Sequence, residues 1–183
     1  MNSVSKKISE SNFQNDCIAH IHIYLLRILT KLHFFKPPNS FIVEQLEVHQ
    51  ELFSEIYKGV YQYVLGIIYL NQRQHDLAFN YLVEAQKIFE QNKISLGLVN
   101  TNFISIYMIK REYLKMVNLC LEMETFFINK KNHKRLLHVY YYLSDYFLII
   151  NSFDLAEKYY NKSLEIVSKN KSLERYYFAM EYN

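Results

Sequence analysis

Five side chains in the second half of the chain are suited to recognising another molecule. They are Asn102 and Ser105 in "VNTNFISIYM", and His138, Tyr141 and Asp145 in "HVYYYLSDYF". An amide, a hydroxyl, an imidazole, a phenol and a carboxylate supply hydrogen-bond donors and acceptors of every kind. Tyr63 and Ile67, in "YVLGIIY", hold comparable places upstream. Each has two readings. The Asn102 amide either contacts a ligand or is solvated or locally bonded, and the two tyrosines either stack on a ligand or pack in the core or rim. Asp145 either meets a basic group or is an exposed charge.

Other chemistry is poorly represented. His20 and His22 are two apart and fall on different sides of a helix, with no cysteine or carboxylate at metal-site spacing, so no metal is expected. With three glycines in 183 residues there is no phosphate-cradling loop, and neither a GxGxxG pattern nor a GxSxG elbow occurs. No cofactor and no catalytic group are expected, and nothing is positive evidence for an enzyme. Cys17 and Cys120 each lie among apolar neighbours, where a reduced thiol behaves as a small core residue. "NKKNHKRLLH" places Lys130, Lys131, Lys134 and Arg135 together. A solvated turn whose cations suit the end of the preceding helix explains it more simply than a site for phosphates.

Positioning such residues requires a scaffold, and the composition points to helices. Half of the residues are hydrophobic, only two are proline, and charged residues are interspersed among Leu, Ile, Tyr and Phe. The expected fold class is all-α. A net charge of +3 is too small to imply nucleic acid. The N-terminal sequence is polar and lacks a secretory signal, no run spans a bilayer, and a cytoplasmic protein with no membrane partner is expected.

The helices repeat. "YVLGIIYLNQRQHDLAFNYLVEA" reads as a helix with Leu65, Gly66 and Tyr69, a hinge "NQRQHD", and a second helix with Ala78, Leu82 and Ala85. Small Gly66 and Ala78 let the two helices approach closely. Thirty-eight residues on stand Phe103, Ile104 and Tyr107, then Met116, Cys120 and Met123. Forty further on stand Leu143, Ser144 and Phe147, then Ala156, Tyr160 and Ser163. The organisation is therefore a polar tail over 1–12, N-terminal helices over 13–58, and repeats near 59–96, 97–136 and 137–172 with a C-terminal capping helix. Pro37 and Pro38 end the first of the N-terminal helices. The next, capped by Asn39 or Ser40, meets no breaker before Gly59 and is expected to run into the first repeat.

Residues 59 to 170 resemble the tetratricopeptide repeat family. The usual aromatic of the first helix appears as Tyr61 or Tyr63 and as Tyr140, with Asn100 in the middle unit. The terminal proline is missing, and the period exceeds the family's roughly 34 residues. The resemblance implies an α-α solenoid, a right-handed superhelix whose first helices line a concave groove. "SEIYKGVYQYVLGIIYLNQRQHDLAFNYLVEAQKIF" is most similar to the peptide-sensing regulators of Gram-positive bacteria, of the Rap, NprR, PlcR and PrgX type. That resemblance implies a quorum-sensing regulator whose groove binds a short peptide or an extended protein segment. An asparagine on a first helix commonly clamps the peptide backbone in that family. Asn102 matches it, with Ser105 as a second contact.

Such regulators carry an effector module at the N-terminus. Thirty-six residues precede the proline pair, too few for a usual helix-turn-helix, so direct DNA binding is not expected. A response-regulator partner, with phosphatase activity through Gln14 or Asn15, is the alternative that the resemblance implies. A structural assembly module, a homodimer included, is a further alternative, since neither end of the array has a clearly polar cap.

Overall fold

The computed structural model describes residues 53–175 and 177. The expectations on the tail, on the helices before residue 53, on Cys17, His20 and His22, and on Gln14 and Asn15 lie outside them. Among the described residues there are six α-helices and no strand. They are α1 (Glu55–Asn71), α2 (His75–Gln91), α3 (Gly97–Ile109), α4 (Tyr113–Asn129), α5 (His133–Ile149) and α6 (Phe153–Lys169), followed by a 3-10 turn at Lys171–Leu173. The all-α expectation stands. The chain divides into two compact units, residues 1–99 and 100–183.

In the first unit, α1 and α2 pack as a hairpin. The buried stripe of α2 is Ala78, Leu82, Ala85 and Phe89, at the i, i+4, i+7, i+11 spacing that puts residues on one face. Gly66 of α1 faces it. A Cβ there would lie 2.7 Å from Leu82 Cγ and 3.3 Å from the Ala78 carbonyl oxygen, so the close approach depends on glycine. Instead of continuing an earlier helix, α1 starts afresh at Glu55, because Ser54 before it is extended (φ −62°, ψ 157°). Gly59, the expected breaker, sits buried inside α1, where Phe89 Cε1 would be 2.8 Å from an added Cβ.

In the second unit the stripe of α4 is Met116, Cys120, Met123 and Phe127, which is the α2 stripe displaced by 38 residues. With Ile104 of α3, Leu136, Val139, Tyr140 and Leu143 of α5, and Tyr159 of α6, it forms one core. Position 66 of the first hairpin is Ser144 in the third, and its hydroxyl donates to the Ala156 carbonyl at 3.0 Å. A small side chain thus becomes a bond between paired helices. The register slips once. Tyr160, expected in the core, is 43% exposed, and Tyr159 points inward instead. There its ring stacks on Phe147 with centroids 5.6 Å apart.

Five turns join these helices in one way. Arg73, Lys93, Arg111, Lys131 and Asn151 have φ between 51° and 61°. In each turn two amides reach back to the preceding helix, as Arg111 N–H to Met108 and Glu112 N–H to Tyr107 do. That paired closure is the Schellman motif, here without glycine. Four of the five left-handed residues are cationic, a charge favoured at a helix C-terminus. The stretch from 130 to 135 is split accordingly: Lys130 and Lys131 form the turn, while Lys134 and Arg135 belong to the first turn of α5.

Candidate functional site

The expected recognition residues fall in both units. In the first, Tyr63 is only 7% exposed, with its ring 6.5 Å from that of Phe89. Ile67 is half-buried. Tyr63 therefore contributes to packing and offers little surface to a ligand.

In the second unit, α3 supplies Asn102 and Ser105, and α5 supplies His138, Tyr141 and Asp145. All five are half-buried. One contact that joins the two helices is made by a residue absent from the expected set. The hydroxyls of Ser105 and Tyr142 lie 2.7 Å apart. Tyr142 also packs edge-on against Tyr141, with centroids 5.4 Å apart. Thus α3 and α5 share a face on which His138, Tyr141, Tyr142 and Asp145 follow one another at i, i+3, i+4 and i+7. Sequence reasoning passed over Tyr142 because "YYY" at 140–142 offers three rings at successive angles. Only the partner hydroxyl one repeat away distinguishes them.

Burial shapes the charge of this face. His138 is lowered to about 4 by burial, with Arg135 and Lys134 of the same helix adding to the effect. It is a neutral imidazole near pH 7, able to donate through one nitrogen and accept through the other. Burial raises the Tyr142 phenol above its ordinary value and outweighs the opposing bond from Ser105. Burial also raises the Asp145 carboxyl. Ser105 therefore faces a neutral phenol in place of a general base, and it also donates to the Thr101 carbonyl at 3.4 Å. This arrangement suits hydrogen bonding to an extended backbone better than nucleophilic attack.

Elsewhere in the unit a second polar cluster had no counterpart in the sequence reading. Lys162 of α6 donates to Glu124 of α4 at 2.6 Å, with their side chains 34% and 14% exposed. Its ammonium also lies 5.1 Å from the centre of the Tyr140 ring and 4.9 Å from that of Tyr159. Burial, with the neighbouring Glu124 carboxylate, pushes the Tyr140 phenol well above its ordinary range. A 38-residue separation, one repeat, was the available signal: opposite charges stand on successive second helices. The cluster latches one hairpin to the next.

Comparison with known protein families, with curated proteins and with solved structures finds no match to this chain. Its functional reading therefore rests on its own residues. Among the described residues no group of three metal-ligating side chains occurs. No described helix is long and apolar enough to cross a membrane. The Cys120 thiol is buried 3.5 Å from the Met116 sulfur, and burial, with Glu124 contributing, pushes it up to about 12. It remains a protonated core group.

Proposed function

We propose that the chain is a tetratricopeptide-like helical-repeat module that binds a short peptide or an extended protein segment on the α3–α5 face, as part of a cytoplasmic regulator of the peptide-sensing type. The observation that carries this reading is the Ser105–Tyr142 hydroxyl pair. It ties together the first helices of consecutive hairpins amid half-buried polar groups. The repeating left-handed turns and the 38-residue displacement of the buried stripe support the repeat character.

Recognition would use the Asn102 amide and the neutral His138 imidazole to pair with the peptide backbone, and Asp145 to meet a basic group. A ligand that bridges α3 and α5 binds only the folded chain, so it stabilises by mass action, by about 2.7 kcal/mol at a hundredfold excess over Kd. A thermal-shift screen of the full chain against a library of short peptides tests the reading. Stabilisation by particular sequences supports it, and a flat response across the library at ligand excess removes it.

A further inference from the structure

The outer face of α4 carries a stripe that its counterparts lack. Leu114, Leu121 and Ile128 stand at i, i+7 and i+14 and are 77%, 45% and 51% exposed. At about 100° per residue they lie roughly opposite the buried Met116, Cys120, Met123 and Phe127, so the core of the unit does not explain them. Displaced by one repeat, the same three places are Asp76, Val83 and Glu90 on α2, and Asp154, Asn161 and Ser168 on α6, and these too are exposed. A single exposed leucine is ordinary, but three aliphatic side chains in register along about 21 Å of helix form a continuous apolar seam.

Asn118 and Thr125 fill the intervening places, which completes the seven-residue pattern of a two-helix seam with Leu114, Leu121 and Ile128 at its d positions. Polar residues at the a positions fix register at a cost in stability. The Thr125 hydroxyl is already provided for, since it donates to the Leu121 carbonyl at 3.4 Å. The flanking charges say which helix fits. Lys115 and Glu122, both exposed, stand seven apart on one side of the stripe. An antiparallel copy of the same helix, with Leu121 beside Asn118 of the second copy and Leu114 beside its Thr125, sets Lys115 next to Glu122 of the second copy, and two-fold symmetry repeats that pair. Sliding by one heptad sets Lys115 against Lys115, or Glu122 against Glu122, which is unfavourable. A parallel copy offers no opposite charge either, because Glu122 would face Val117 of the second copy. Lys115 also pairs with Glu112 of its own chain, an exposed contact that is worth little and is exchanged cheaply.

We infer that α4 of a second copy covers this seam in antiparallel orientation, making the chain a two-fold dimer. The aliphatic stripe supplies the attraction, and the Lys115 and Glu122 pairs select the orientation and the register. No residue of α3 or α5 enters the seam, so the dimer does not depend on peptide binding at the α3–α5 face.

Sedimentation of the full chain across a concentration series of about 1–300 μM tests this. A reversible monomer–dimer equilibrium is expected, in keeping with a seam one helix wide. Leu121→Glu should weaken the dimer at least about tenfold. Leu114→Glu should do the same, and at 77% exposure it removes little packing, so its thermal melt stays cooperative. Lys115→Glu and Glu122→Lys each set like charges together twice, and each should weaken the dimer by about fivefold. The double variant Lys115→Glu/Glu122→Lys restores opposite charges and should return the dimer to within about twofold of the wild type. A monomer throughout the series overturns the inference, as does a dimer indifferent to Leu114→Glu, or a double reversal no better than its single variants.

Discussion

His138 is charged less readily in the folded chain than out of it, and that difference has a measurable sign. Unfolded, it titrates near 6.5, and folded at about 4. Between those values the unfolded chain binds more protons, so stability is intact above pH 6.5 and falls as pH drops toward 4. Asp145, raised by burial, opposes this at the acidic end, because there the folded chain takes up its proton first. Denaturation measured across a pH series should show the wild type losing on the order of 1–3 kcal/mol more than His138→Gln on passing from pH 7 to pH 4.5. Parallel curves would mean that the imidazole is solvated. The latch yields a second prediction at this scale. Lys162→Met leaves the Glu124 carboxylate largely buried beside Tyr140, and should cost about 1–3 kcal/mol. Adding Glu124→Gln should recover much of that loss, a non-additivity that a double-mutant cycle in urea reads directly.

Among the elements, helix packing depends on close approaches at Gly59 and Gly66 and on five strained turns. Gly66→Ala should lower stability. Its new Cβ falls 2.7 Å from Leu82 Cγ, in a fully buried stripe, and an overpacking cost of about 1–3 kcal/mol exceeds the gain of up to about 1 kcal/mol in helix propensity. Arg111→Gly should act oppositely. With φ at 59° the arginine occupies a region that glycine enters freely, and relief of about 0.5–1 kcal/mol is expected as a raised Tm. Much of this scale was legible in the sequence, since the periodic apolar positions and the 38-residue echo specify which faces pack. Gly66 could be read as a point of close contact because it is the smallest residue in a stripe of large ones. The Tyr159 and Tyr160 exchange was not legible. Adjacent tyrosines carry the same hydrophobic signal, and the choice between them is made by Phe147 and Tyr140, whose rings Tyr159 meets. Pairs such as Ser105 with Tyr142 and Glu124 with Lys162 were hidden for a related reason. Each joins helices a repeat apart, beyond the reach of local periodicity.

For the molecule as a whole, the second unit concentrates its polar chemistry on separate surfaces. One carries Asn102, Ser105, His138, Tyr142 and Asp145, and the other carries the Glu124–Lys162 latch. The first unit is more uniformly a packing element, with Tyr63 committed to Phe89. The peptide recognition we propose is accordingly assigned to α3 and α5, and its most direct measurement is a calorimetric titration of a stabilising peptide into the full chain. Saturable binding is predicted, weakened about tenfold by Asn102→Ala and by the Ser105→Ala/Tyr142→Phe pair, and unchanged by Leu114→Glu. Absence of saturable heat from any peptide, or equal affinity in the Asn102 and Ser105/Tyr142 variants, would contradict it.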